Sequence, residues 1–482
     1  MKSTEPGQSF PLPTDLRTVF EALSRAGGRP LLAGGCVRDW LLGHLPKDFD
    51  AEVYGLTWEQ LLKVLQPFGR TDPVGKQFAV VKLRLEEGEV DLALPRKESK
   101  SGQGHRGFTI EVDPTLDFTA ACARRDFTLN AILYDPLRKE IIDPHNGAKD
   151  LRNGLLRHPS PAFREDPLRV LRAFQFVARF GFHVASETIR ECQDIHSTFG
   201  EIPRERVWME WEKVATKAIA PRAAFQFLEE CNWMDHFPFL PTMRQTQQDP
   251  EWHPEGDVWE HTTHALESLV SLHEWREAKD SSRIILFFAT LLHDVGKIRT
   301  TGSAWKNGRT CIVSPGHDRE GGPLAHQFLQ FLGSPHRYYA PVVKLVENHM
   351  ATMSWPSPTP SASTVRRLAR KIDPARLADL IPVIKADRGG RPPRPAGRHD
   401  DLNELSRVAD ELAIRDARPE PLLLGRHLIA DGWTPGPEFT HVLNAIYEEQ
   451  LEGRVTTIAE GLTLARQRKS AASGGKSGES MK

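Results

Sequence analysis

The chain has 482 residues, enough at about 150 per domain for roughly three domains. With 39% hydrophobic and 26% charged residues it can bury real cores, which excludes disorder throughout. A formal net charge of −1 excludes attraction to nucleic acid through bulk charge, so such a partner needs local basic patches: Arg124-Arg125, Arg366-Arg367-Arg370-Lys371 and the run 388–398.

Residues 1–13 are polar and Pro-rich and hold no apolar core of a secretory signal. The pattern then predicts an amphipathic helix over 16–26, a strand over 29–32 running into Gly34-Gly35, a helix over 37–42 and a strand over 49–53. Alternation over 78–85 and 89–94 predicts two further strands of a half-buried sheet, and the charged, Gly-rich stretch 96–108 reads as a mobile loop. From about residue 150 the pattern is helical almost to the end. Helices are expected over 205–235, 257–275, 283–295, 323–332, 340–351, 363–385 and 401–413. Residues 389–397 read as a linker, and 468–482, rich in Ser, Gly and Lys, as a disordered tail. The longest apolar run, 284–292, is far short of a membrane span, and the expected location is cytoplasmic. The cysteines, Cys36, Cys122, Cys192, Cys231 and Cys311, are odd in number and lack CxxC spacing, which argues against a disulfide framework and a cysteine zinc site.

Side chains alternate along a strand, so Asp48 and Asp50 point to one face. Neighbouring carboxylates repel unless a cation lies between them, and Mg²⁺ accepts carboxylates, phosphates and water together. The Gly34-Gly35 turn allows close backbone approach to a phosphate chain. A lone DxD or Gly-Gly is most often a surface feature. Here, strand, Gly-Gly, helix with Arg38-Asp39, loop and DxD strand follow in that order, which resembles the head of the class II tRNA nucleotidyltransferase and bacterial poly(A) polymerase family. Asp91, on a later strand, reads either as a third catalytic acid beside Asp48 and Asp50 or as a strand-end charge.

Arg124-Arg125-Asp126-Phe127-Thr128-Leu129-Asn130-Ala131 resembles the family's RRDFTxNA motif, and Glu165-Asp166-Pro167-Leu168-Arg169 its EDxxR motif. The resemblance, nearly continuous over 31–182, implies nucleotide contacts from Gly34, Gly35, Arg38, Arg124, Arg125, Asp126, Asn130, Asp166, Arg169 and Arg172. Asp166 and Arg169, three apart, are expected on one helix face. The resemblance makes them the pair that reads the incoming base; the bland alternative is an i,i+3 ion pair. A carboxylate accepts from the exocyclic amine of adenine or cytosine, whereas uracil and guanine present a carbonyl there. The loop 96–108 resembles the family's flexible loop, which weighs against an enzyme adding C alone. The stretch 113–123 is longer than the family's shortest versions, with Cys122 and Ala123 where a charge often stands, so CCA addition, A addition and poly(A) tailing stay open as subtypes.

Behind the head, His261, His293-Asp294, His317, His349 and Asp387 occur in an order that resembles the HD-domain metal-dependent phosphohydrolases. The resemblance implies that His261, His293, Asp294 and Asp387 hold one divalent metal (Mg, Mn, Ni, Co or Fe), with His317 and His349 available for a second metal or for phosphate.

The expected fold is therefore α+β: a nucleotidyltransferase head with a mixed sheet (14–155), a helical neck (156–225), an HD body (226–395) and a helical tail (396–467) expected to bind tRNA. The expected function is template-independent addition of CCA to tRNA 3′ ends from CTP and ATP, with Mg²⁺ in the head. The alternatives are an A-adding enzyme or poly(A) polymerase of the same family, or an HD phosphohydrolase with an inactive head.

Overall fold

The structure, a computed structural model, describes residues 10–46, 48–73, 79–100, 108–306, 308–395, 397 and 399–474. The chain divides into two compact units, Met1–Phe237 and Pro238–Lys482.

In the first unit, strands β1 (Arg29–Ala33), β2 (Phe49–Tyr54), β3 (Thr71–Pro73), β4 (Val80–Leu85), β5 (Gly88–Ala93), β6 (Arg96–Lys100), β7 (Phe108–Val112), β8 (Leu133–Asp135) and β9 (Glu140–Ile142) precede the helical neck. Seven of them form one mixed sheet in the order β3-β4-β5-β2-β1-β8-β9. β2 pairs antiparallel with β1 but parallel with β5, and the parallel register sets Asp50 opposite Asp91. Both faces of β1 are buried: Leu32 joins one apolar cluster, Leu31 and Ala33 the other. The first face is covered by α1 (Thr14–Arg25), whose Leu16, Val19, Phe20 and Leu23 form one apolar stripe.

Further helices of this unit are α2 (Gly35–Leu41), α3 (Trp58–Leu65), α4 (Phe118–Ala123), α5 (Gly147–Arg152), α6 (Leu168–Phe180), α7 (Ser186–Asp194), α8 (Arg204–Lys217) and α9 (Pro221–Glu230). A reciprocal Thr57–Gln60 capping box opens α3, and Asp117 caps α4. The expected helix 205–235 is instead α8, α9 and a short 3₁₀ turn, because Pro221 lacks the N–H that would continue α8 and serves as the first residue of α9. Phe174 of α6 packs Trp211 of α8 and Phe225 of α9 at centroid distances of 5.2 and 5.3 Å.

Two expectations here need correction. The stretch 96–108, read as a loop, begins and ends in an antiparallel ladder, Arg96↔Val112 to Lys100↔Phe108; its tip, 101–107, and Phe78 lie outside the described residues. The region after residue 150 is not wholly helical either, since β10 (Leu155–Leu156) and β11 (His183–Val184) pair in parallel.

The second unit contains α10 (Leu240–Gln245), α11 (Val258–Ser271), α12 (His273–Glu277), α13 (Asp280–Leu292), α14 (Lys297–Thr300), a hairpin of β12 (Gly302–Lys306) and β13 (Arg309–Val313), α15 (His317–Leu332), α16 (Tyr339–Val346), α17 (Ala362–Ile372), α18 (Leu377–Gly389), α19 (Asp400–Glu411), α20 (Gly425–Ala430), α21 (Glu438–Leu451) and α22 (Ile458–Gly474). The hairpin went unread in the sequence because its outward residues are polar or lone aromatics; Trp305 is 74% exposed. The expected helix 363–385 splits into α17 and α18 around Pro374. α22 reaches Gly474, into the segment 468–482 expected to be disordered; 475–482 lie outside the described residues. The last three helices share a small core of Leu423, Leu428, Trp433, Ile446, Val455 and Ala465. Among the described residues no helix is long and apolar enough to cross a membrane.

All three basic patches have internal partners. Arg124 and Arg125 meet Glu52, Arg367 and Arg370 meet Glu448, and Arg388 meets Asp401. The local charge that these arginines offer to a nucleic acid is thus offset in part within the fold, two of them sharing the single carboxylate of Glu52.

Candidate functional site

In the first unit, β1 ends at Gly34, whose φ of 71° belongs to the left-handed region. A Cβ there would also come within 3.1 Å of Arg125 Nη1. The turn leads into α2, and a cleft of about 870 Å³ opens beside it, lined by Gly35, Arg38, Asp48, Asp50, Arg179 and Lys217 among others. Asp48 and Asp50 are both exposed, and Asp91 stands opposite Asp50 on β5. Desolvation, then Asp91, push the Asp50 carboxyl above its ordinary 3.8, against the pull of Arg125. Acids gathered on and just before the central strand β2 and on its neighbour β5, next to a glycine turn, suit a hard divalent cation that brings phosphate oxygens with it.

The nucleotide motif forms one connected network. Glu52, 3% exposed, accepts from Arg125 at 2.6 Å, Arg124 at 3.2 Å and the Tyr54 hydroxyl at 2.8 Å. Burial would raise its pKa, but Arg125 and Arg124 outweigh that and hold it below 4.5. Arg38 donates to Asn130 Oδ1 at 2.9 Å, Asn130 donates to Asp126 at 2.9 Å, and Arg172 meets Asp126 at 2.6 Å. Burial is again outweighed at Asp126, first by Arg172, so its carboxyl lies below 3.8. Eight charged or polar groups are thereby fixed in place before any ligand arrives, which is the preorganisation that anion binding exploits.

Asp166 and Arg169 do not share a helix face as expected. Asp166 precedes α6 in extended conformation (φ −124°, ψ 102°) and its carboxylate caps Leu168 N at 3.1 Å. Its ion partner is Arg206 of α8, at 3.0 Å. Arg169 donates to the carbonyls of Ala162 and Arg124, each at 2.6 Å. Asp166 thus meets Arg206 across to α8, and Arg169 reaches two backbone carbonyls.

In the second unit, α11, α13, α15, α16 and α18 bring His261, His293, Asp294, His317, His349 and Asp387 together, each no more than 8% exposed. Each imidazole is anchored through Nδ1: His261 by Glu255 (2.8 Å), His293 by the Thr290 carbonyl (2.7 Å), His317 by Ser314 (2.9 Å) and His349 by Val346 (2.8 Å). A proton on Nδ1 leaves each Nε2 lone pair directed inward. Nε2 atoms meet at 3.2 Å (His261–His293) and 3.3 Å (His317–His349). Two such lone pairs cannot hydrogen-bond to each other, so the arrangement calls for a cation between them.

Asp294 joins the two halves. Its Oδ2 is 3.3 Å from His293, and its Oδ1 is 3.2 Å from His317 and 3.7 Å from His349. Asp387 Oδ1 completes the first half at 3.1 Å from His261. His261, His293 and Asp294 form one candidate ligand group, and Asp294, His317 and His349 another. His317 and His349 are thus placed as fully as the other four. Despite burial, Lys297 and His293 hold the Asp294 carboxyl well below its ordinary range, while burial lowers His349 to about 4. An ionised carboxylate and a neutral imidazole, the forms that bind metal, are thus favoured at Asp294 and His349, whereas at His261 and His317 burial is outweighed by Asp387 and Asp294, which raise the pKa. The cluster forms part of a cleft of about 670 Å³.

Sequence reasoning missed Glu52, Arg206, Lys297, Arg391 and Glu255. Glu52 continues the 48, 50, 52 alternation, so the strand's period carried that signal. Lys297 meets Asp294 at 2.7 Å and Arg391 meets Asp387 at 2.8 Å, at helical spacings of three and four residues that were equally legible. Arg206 and Glu255 carried no such signal.

The family model for the Poly A polymerase head domain matches residues 31–157, and that for the HD domain matches 261–387. A multifunctional CCA protein of Xanthomonas campestris pv. campestris is 35% identical over 445 residues, covering 90% of this chain and 98% of its own length. Another, from Nitrosococcus oceani, is 34% identical over 396 residues, covering 80% and 91%. Among solved structures, the Bacillus stearothermophilus CCA-adding enzyme in complex with CTP has a TM-score of 0.63 at 20% identity, covering 95% of this chain and 100% of its own. The Thermotoga maritima CCA-adding enzyme complexed with tRNA gives 0.58 at 19%, covering 94% of each chain. The two solved structures share the fold.

Proposed function

The chain belongs to the multifunctional CCA protein family, and from that premise we propose that it adds C, C and A to tRNA 3′ ends from CTP and ATP. The observation that carries this reading is the group of Asp48, Asp50 and Asp91 on and beside the central strands β2 and β5, near the Gly34-Gly35 turn, backed by the Arg38–Asn130–Asp126–Arg172 network. The tRNA 3′ hydroxyl attacks the α-phosphate, and pyrophosphate leaves. Divalent cations, Mg²⁺ foremost, would be held by Asp48 and Asp50 with Asp91 adjacent, and supply charge neutralisation at the attacking and departing oxygens. Gly34 and Gly35 admit the phosphate chain to the backbone N–H groups at the start of α2. Arg38, Arg124 and Arg125 set positive charge along that path, each oriented by Asn130 or Glu52. Asp166 and Arg169 read the base edge, the first oriented by Arg206 and the second by two backbone carbonyls.

The test is incubation of the protein with Mg²⁺, a tRNA lacking its last three nucleotides, and CTP and ATP separately and together. Three additions and a stop support the reading. A long ladder from ATP alone, or one A added only to a CC-ended tRNA, replaces it with poly(A) polymerase or A-adding enzyme.

A second activity, phosphate-ester hydrolysis in the HD cleft, is favoured by the converging Nε2 atoms bridged by Asp294. A divalent metal held there would polarise water and phosphate oxygen. A cyclic 2′,3′-phosphate at a damaged RNA end is the substrate class in view. Release of phosphate, or opening of the cyclic ester, that is lost in His293→Ala tests it.

A further inference from the structure

The floor and the mouth of the HD cleft differ in chemistry. On the floor, the His/Asp cluster has Lys297 and Arg391 against its two carboxylates. Trp252 and Met353, by contrast, line the same cleft while 58% and 63% exposed. An exposed aromatic sharing a cleft with cationic side chains is the pairing that single-stranded nucleic acids meet on proteins that bind them.

We propose that Trp252 is a stacking platform for the base of a terminal nucleotide whose phosphate reaches the HD cluster. The inference rests on the hydrolase reading above and adds what the cleft grips besides phosphate.

Three features support it. Trp252 sits on a braced turn: its N–H and that of His253 donate to the Asp249 carbonyl at 3.0 and 2.9 Å. The Asp249 carboxylate, in a residue 5% exposed, binds both Arg309 Nη atoms at 3.0 and 2.9 Å and Ile312 N at 3.1 Å, tying the turn to the β12–β13 hairpin. The backbone that carries the ring is therefore held in position before ligand arrives, which cuts the ordering cost of binding. Second, the Arg394 guanidinium lies over the ring, 5.4 Å from its centroid, so the cation supports one face while the ring keeps its large exposure. Third, every base has a π-face, so stacking tolerates any sequence. That tolerance suits a site meeting the ends of many RNAs.

The experiment uses the full metal-loaded chain with two secondary phosphomonoesters, cytidine 2′-monophosphate and glycerol 2-phosphate. Trp252→Ala is expected to raise KM for the nucleotide by about 5- to 150-fold, the range that loss of one stacked base produces. KM for glycerol 2-phosphate should stay unchanged, and Trp252→Phe should restore most of the nucleotide KM. Equal loss for both substrates would mean that Trp252 only supports the fold, and no change for either would mean that nothing stacks there; each overturns the proposal. If the wild type hydrolyses neither ester, the hydrolase reading fails. The platform is then decided without turnover, by irradiating the chain with a short RNA ending in 5-bromouridine. An adduct on Trp252 sustains the proposal, and adducts elsewhere alone end it. Lost tRNA affinity in Trp252→Ala with unchanged nucleotide KM would assign the ring to the RNA body instead, which also overturns it.

Discussion

The two candidate centres solve the problem of holding cations in opposite ways. The head presents Asp48 and Asp50 at the start of its central strand, where desolvation and then Asp91 raise the Asp50 pKa. The HD cluster buries four imidazoles and two carboxylates, with every Nδ1 engaged and Asp294 shared between the halves. Oxygen-only acids open to solvent suit a hard ion that arrives with a triphosphate and leaves with pyrophosphate. A mixed nitrogen and oxygen cluster, buried at the floor of a cleft, suits a resident transition metal. Side-chain accessibility, as much as ligand identity, separates a transient metal site from a permanent one.

The sharpest way to break this comparison is a reciprocal pair of variants. Asp50→Ala should lower nucleotide transfer by on the order of 10³-fold or more while HD-dependent hydrolysis persists. Asp294→Ala should do the reverse, since one carboxylate serves both halves of the cluster. Gel-sized transfer products and phosphate release, measured on both proteins, check it; loss of both activities in either variant would end the claim of two centres. A second test concerns retention. After desalting into metal-free buffer, elemental analysis should find metal bound in the wild type and in Asp48→Ala, but not in Asp294→Ala.

Glu52 sharpens the head's side of the comparison. Glu52→Gln strips the charge that Arg124 and Arg125 share, and breaking a buried ion group in this way typically costs about 3 kcal/mol. Denaturant unfolding should register it, and KM for CTP and ATP should rise about tenfold as the guanidinium groups lose their orientation. The smallest expected effect is on acid stability. Folding lowers Glu52 from 4.5 and Asp126 from 3.8, so the folded state binds fewer protons than the unfolded chain in that range. Their contribution is complete above about pH 4.5 and is lost as pH falls through the lowered values. Circular dichroism between pH 5 and 2 should show a shallower acid loss in Asp126→Asn than in the wild type, from a lower starting stability.

The sequence by itself determined the chemistry's raw parts. Strand alternation led to the expectation that Asp48 and Asp50 share one face, although β2 begins only at Phe49, and the order of the Gly-Gly, RRD and His/Asp motifs carried the resemblance to families that use triphosphates and metals. These signals are local, because a strand's period and a turn's glycine are properties of neighbouring residues. Tertiary structure alone decided who meets whom. The parallel β2–β5 register set Asp91 beside Asp50, packing of α8 on α6 brought Arg206 to Asp166, and helix assembly aimed four Nε2 atoms at one another. Such partners lie far apart in the chain, and no local periodicity carries the register or the helix packing that joins them. The same reason hid Trp252, which was one aromatic in a polar stretch until Asp249 and the hairpin braced it at the mouth of the cleft.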